Sequence, residues 1–263
     1  MSPLMLCAVR FILASIPLVF FIKPPAVPFK WVVIYGIVMF VLQFLLLFMG
    51  IQAGVSPGIA SLVVQVQIFF SLFYAALIWK EMPSLWQMLG ALVAFAGIAL
   101  VAMHLDGNMT LTGFVYVLAA AAAWALGNVI TKLIGKVNNI SLVIWGSFVA
   151  SFPMILLSLL FDGVDKIVAS YHQLNWQGLF SILFIVYGST WIGYGLWSWL
   201  LSRYSVAVVV PFTLLIPIFG MLSSVIILGE PLQSWKIFAG MLVMSGLCIN
   251  LLGAQFFPKK SLD

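Results

Sequence analysis

SPGIASLVVQVQIFFSLFYAALIW occupies residues 56–79, and within it there is no Asp, Glu, Lys, Arg or His. A helix rises about 1.5 Å per residue, so this stretch is long enough to cross a hydrocarbon core about 30 Å thick. Inside lipid a segment must satisfy its own backbone, which a helix does and an irregular chain does not. Residues 57–79 are therefore expected to span a membrane as a helix.

Moving outward, the same signal recurs. Apolar windows of spanning length fall at approximately 4–22, 31–50, 85–103, 112–131, 141–161, 177–199, 207–228 and 235–256, giving nine spans with 57–79. Short breaks separate them, among them Lys23 to Pro28, Lys80 to Pro83, Asp106 to Asn108 and Gly229 to Pro231. The 263 residues are 65% hydrophobic and 6% charged. Soluble domains carry about 25% charged residues, so the chain lacks the surface of a soluble protein. The expected fold class is all-α, a polytopic membrane helix bundle.

The net charge of +5 comes from single residues scattered through short loops, which argues against a nucleic-acid partner. Lys and Arg are expected to mark the cytoplasmic side. With the break after the first span placed inside, the cytoplasmic set is Lys23, Lys30, Lys80, Lys132, Lys136, Arg203, Lys259 and Lys260. Only Lys166 and Lys236 fall on the other side, and Arg10 lies within a span. This asymmetry predicts a cytoplasmic C-terminus. Cys7 and Cys248 each sit alone in an apolar run and read as packing residues.

The chain also repeats itself. A shift of 149 carries Phe70 onto Phe219, Glu81 onto Glu230, Trp86 onto Trp235 and Gly97 onto Gly246. A shift of 136 carries Ala14, Ser15 and Pro17 onto Ala150, Ser151 and Pro153. Span 112–131 is left without a counterpart, so the unit reads as five helices with the first copy lacking its first member. The expected domains are residues 1–107, with four of five helices, and residues 108–263, with five. Two consecutive units of odd span number insert in opposite senses. Inverted repeats of this kind characterise secondary transporters, with the solute site near mid-membrane between the copies.

Polar groups at membrane depth are costly and mark candidate sites. Arg10 either holds a carboxylate with its planar fork or snorkels outward. Gln65 and Gln67 are about 200° apart on a regular helix, so one faces a cavity while the other bonds a neighbouring helix. Gln43 and Asn128 are further neutral amides. Trp145, Trp191 and Tyr194 are candidate aromatic walls, or else lipid-packing and interfacial anchors. Glu81 and Glu230 are expected to stabilise the starts of helices 85–103 and 235–256. No carboxylate is expected deep in the membrane. An intramembrane enzyme would need a nucleophile–base pair or a metal site. His104 and His172 lie in separate loops, and neither HExxH nor GxSxG occurs. No cofactor or metal is expected. A scaffold or partner subunit without transport activity is the remaining alternative, and self-association into a homodimer is left open.

Several stretches resemble the EamA family of the drug/metabolite transporter superfamily. They are Pro3-Leu-Met-Leu with Arg10-Phe11, Gly58 to Phe70, Trp124 to Val129, Ser141 to Trp145, and Gly193 to Trp197 followed by Arg203-Tyr204. The likeness spans nearly the whole chain and rests on the ordered set, not on any one motif. The resemblance implies ten helices in two inverted five-helix repeats, set in the bacterial inner membrane. It also implies export of amino acids such as cysteine or O-acetylserine, or related metabolites, by alternating access.

Overall fold

The computed structural model describes residues 2–80, 83–104, 110–135, 137–172, 174–193, 196 and 215–256. Among them the chain is all helix. In order, the helices are α1 (Pro3–Ser15), α2 (Phe29–Gln52), α3 (Pro57–Trp79), α4 (Leu85–Met103), α5 (Leu111–Ile134), α6 (Asn139–Phe161), α7 (Gly163–His172), α8 (Trp176–Ile192), α9 (Leu215–Leu228) and α10 (Ser234–Phe256). A 3-10 turn at Leu18–Phe20 prolongs α1. Seven of these segments are long and apolar enough to cross a bilayer, and α8 and α9 are shorter apolar helices. The protein is a polytopic helical membrane protein, as the apolar runs require. One expectation needs correction. The break left between spans 141–161 and 177–199 is not a loop throughout, because ten of its residues form α7.

Local chemistry sets the helix boundaries. Ser2, Ser56, Ser84, Asn138 and Asn175 each accept a bond from a backbone N–H of the first turn they precede. Such caps satisfy donors that a helix start leaves orphaned. Pro3 and Pro57 follow two of them, where a missing N–H costs nothing. Ser84 and Gln87 complete a reciprocal capping box. α3 and α9 end on left-handed residues, Lys80 (φ 56°) and Gly229 (φ 68°).

Three helices change pitch part-way. α2 is π-helical over Gly36–Leu42, and α8 over Phe184–Ile192. α3 tightens to 3-10 geometry at Val64–Val66. Both departures recur at functional positions in helices.

The chain packs as two compact units, and neither is a sequence half. One comprises residues 1–48 and 127–203; the other comprises 49–126 and 204–263. In the first, α1 lies against α6, burying Ala8, Phe11, Ala14, Ala150 and Met154. Gly36 and Gly146 let α2 approach α6, since a methyl at Gly36 would meet the Gly146 carbonyl oxygen at 2.7 Å. The ends are tied as well. Ser2 Oγ donates to Asp162 Oδ2 at 2.6 Å, and Ser158 Oγ donates to the same oxygen at 2.9 Å. At the opposite end of α1, Ser141 Oγ donates to the Lys23 carbonyl and Trp145 Nε1 to that of Ile22.

In the second unit, α4 packs on α10 and α3 on α9. A methyl at Gly90 would meet the Gly246 carbonyl at 2.5 Å, and one at Gly97 would meet the Ala239 carbonyl at 2.9 Å. These contacts are reciprocal, because a shift of 149 carries Gly97 onto Gly246 and Gly90 onto Ala239. Ser61 and Gly220 bring α3 close to α9. At the end of α9, Glu230 accepts a short hydrogen bond from Ser224 Oγ and lies 3.8 Å from Lys236 Nζ. Its Oε2 is 3.3 Å from where a methyl on Gly58 would stand. Glu230 thus bonds Ser224 of α9, faces Lys236 of α10 and lies beside the first turn of α3. Glu81 lies outside the described residues.

Candidate functional site

In the first unit Arg10 of α1 touches both α8, through Thr190, and α2, through Phe44. Arg10 is half-buried on α1. Its Nε donates to Thr190 Oγ1 at 3.4 Å, and its guanidinium carbon lies 4.8 Å from the Phe44 ring centre and 5.7 Å from that of Phe11. Aromatic faces attract a cation without neutralising it. Among the described residues no carboxylate stands within ion-pair distance of Arg10. A buried carboxylate partner would consume the fork, so its terminal nitrogens are left for a ligand or water.

Gln43, beside Phe44, is 6% exposed, and its Oε1 has no hydrogen-bond partner. It marks the end of the π-helical stretch, where its backbone N–H bonds the Val38 carbonyl five residues back. Trp191 Nε1 donates to the Ala14 carbonyl at 3.0 Å, and its ring meets Tyr187 edge-on with centres 4.7 Å apart. Ala14 lies in the last turn of α1, where carbonyls lose their intrahelical partners. Trp145 has given its indole N–H to Ile22 and packs edge-on against Phe29. The polar atoms of both tryptophans are therefore committed to backbone, and what they offer a ligand is ring surface.

In the second unit Gln65 is 1% exposed, within the 3-10 turn of α3, and its Nε2 has no partner. Gln67, two residues on, is half-buried and already engaged by another residue. Asn128, in the first unit, is exposed and also engaged. Tyr194 lies outside the described residues. The structure thus brings Arg10 together with the turn that carries Trp191. It leaves one buried atom of Gln43 and one of Gln65 unsatisfied.

Sequence reasoning missed Thr190. Its hydroxyl is 3% exposed, donates to the Ile185 carbonyl at 2.9 Å and accepts from Arg10. A lone Thr in an apolar run carries little signal, and only the partner 180 positions earlier gives it meaning. Among the described residues no group of three or more His, Cys, Asp or Glu is arranged to hold a metal.

Comparison with known proteins is decisive. The profile of the EamA-like transporter family matches residues 1–103 and 111–252. The chain belongs to that family. Among EamA-like relatives, a Salmonella typhimurium (strain LT2) protein is 36% identical over 259 residues, covering 96% of this chain and 87% of that protein. An Escherichia coli (strain K12) relative is 35% identical over 262 residues, covering 97% and 88%. Both are named "Probable amino-acid metabolite efflux pump". A solved crystal structure superposes with a TM-score of 0.69 over 98% of this chain and 90% of its own, at 17% identity. At that identity it speaks for the fold alone.

Proposed function

We propose that this EamA-like transporter exports small zwitterionic amino-acid metabolites by alternating access, with cysteine and O-acetylserine as the leading substrates. One observation carries the reading. Among the described residues Arg10 has no carboxylate within ion-pair distance, and Gln43 Oε1 and Gln65 Nε2 are buried without hydrogen-bond partners. A buried polar atom left unpaired costs about 1–3 kcal/mol, and a ligand that pairs with it recovers that cost. A zwitterion has the matching groups: a carboxylate for Arg10, and donors and acceptors for an amide such as Gln43 in the first unit or Gln65 in the second. Neutral amides bind a solute without a fixed charge that would retain it. Gln67, Asn128, Trp145, Trp191 and Tyr194 are further proposed solute-binding residues, each within its own unit.

The names of the two enterobacterial relatives support export of this substrate class, and the resemblance supports the cysteine and O-acetylserine exporter in particular. We further propose two inverted repeats, residues 1–107 and 108–263, in the bacterial inner membrane with the C-terminus cytoplasmic. The reciprocal contacts of α4 with α10 support that duplication. So do the caps Ser2 and Asn138, which correspond under the shift of 136. The proposed partners are the solute, the lipid bilayer and a second copy of the chain.

The test is efflux. Inner-membrane vesicles or cells loaded with labelled cysteine should lose it faster when the chain is expressed, and cells should resist toxic external cysteine. Arg10→Ala and Gln65→Ala should abolish both effects at unchanged protein level. Wild-type efflux no faster than in the empty-vector control would refute the reading.

A further inference from the structure

We infer that Thr190 is a positioning residue that sets how Arg10 presents itself, and thereby selects solutes bearing a free carboxylate. The inference rests on the proposal that Arg10 meets the solute.

A hydroxyl has one proton to give. That of Thr190 goes to the Ile185 carbonyl at 2.9 Å, five residues back in the π-helical stretch of α8. What faces Arg10 is then an oxygen lone pair, and it takes the Nε proton at 3.4 Å. The neighbouring residue fixes the register of this contact. Trp191 binds the Ala14 carbonyl at 3.0 Å, and Ala14 lies one turn along α1 from Arg10 on the same face. Consecutive residues of α8 therefore grip positions i and i+4 of α1. The ring of Phe44 covers a face of the guanidinium at 4.8 Å.

A guanidinium can hold a carboxylate side-on, through Nε and one terminal nitrogen, or end-on, through both terminal nitrogens. Thr190 occupies the side-on edge. The end-on edge remains, and it offers two parallel N–H groups to a planar anion. An ester or amide has only one comparable acceptor oxygen and no charge. The geometry thus favours the free acid over its blocked analogue. Thr190 is 3% exposed, so it does this through Arg10 without touching the solute.

The full chain, reconstituted in proteoliposomes, tests this with a panel of amino acids that includes cysteine, each paired with its methyl ester. Wild type should take the acid in preference to the ester. Thr190→Val keeps the shape and removes the oxygen. It should raise the apparent KM for the acid about 3- to 10-fold, the size expected of one long hydrogen bond, with the maximal rate and the ester unaffected. Thr190→Ser should restore wild-type behaviour. If Thr190→Val matches wild type while Arg10→Lys loses the preference, the role of Thr190 is wrong and that of Arg10 stands. If Arg10→Lys and Arg10→Ala both retain the preference, the reading of Arg10 falls, and this inference with it. Equal losses for acid and ester in Thr190→Val, without recovery in Thr190→Ser, would show a merely structural residue and overturn the proposal. So would a wild-type protein that distinguishes no acid from its ester.

Discussion

Gly90 and Gly246 meet backbone to backbone: a methyl on Gly90 would stand 2.5 Å from the Gly246 carbonyl oxygen and 2.7 Å from the Asn250 amide nitrogen. Those neighbours are main chain, so they cannot swing aside. Gly90→Ala is expected to cost about 1–3 kcal/mol, the range for overpacking a fitted interface. Gly240, also on α10, has only ordinary contacts with Met221 at 3.6 Å and beyond. Gly240→Ala should be neutral or slightly stabilising. Melting temperatures of the two variants in detergent, measured side by side, check the contrast.

Lys80 ends α3 at φ 56°, where the corresponding end of α9 has Gly229 at φ 68°. A side chain in the left-handed region costs about 1–2 kcal/mol. Part of that is offset by the extra freedom glycine brings to the unfolded chain. Lys80→Gly should therefore raise the melting temperature modestly, and Gly229→Lys should lower it. A drop for Lys80→Gly would mean that the lysine makes a contact worth more than its strain.

Gln65 separates stability from function. Its Nε2 is buried with no hydrogen-bond partner among the described residues, so Gln65→Leu removes a polar atom whose burial is not compensated there. The variant should melt at the same temperature as wild type or higher, and should fail to export. Efflux and thermal unfolding on the same preparation decide it. Full activity would take Gln65 out of the solute pathway.

Trp191→Phe keeps a ring but strips the Ala14 carbonyl of its partner. Leaving such a group orphaned costs about 1–3 kcal/mol. Because the same bond holds Thr190 opposite Arg10, the variant should also lose discrimination between acid and ester. Paired melting and transport measurements test both effects.

The spans were legible because lipid imposes one requirement, an unbroken apolar helix, and composition reveals it directly. Arg10, Gln43 and Gln65 stood out for the same reason, as exceptions to that requirement. The changes of pitch in α2, α3 and α8 were not legible, since each depends on packing against another helix and not on the local sequence. α7 escaped notice because ten amphipathic residues look like a polar loop. The division into units could not be read either. α1 lies far from α6 in sequence, as α4 does from α10, and nothing local announces their contact. Glu230 was placed by its nearest helix in sequence, whereas in space its carboxylate also bonds Ser224 of α9 and lies beside the start of α3.

Asp162 receives two hydroxyl protons, from Ser2 and Ser158, beside the first turn of α1, and no basic side chain among the described residues stands within ion-pair distance of it. A carboxylate served by hydroxyls and the positive pole of a helix asks for no counter-cation. The bonds that tie Asp162 to α1 and α6 thus draw on none of the Lys and Arg residues by which a nascent chain selects its sense of insertion. The docking of α1 on α6 and the choice of membrane orientation are consequently written in separate residues, and one can drift without corrupting the other.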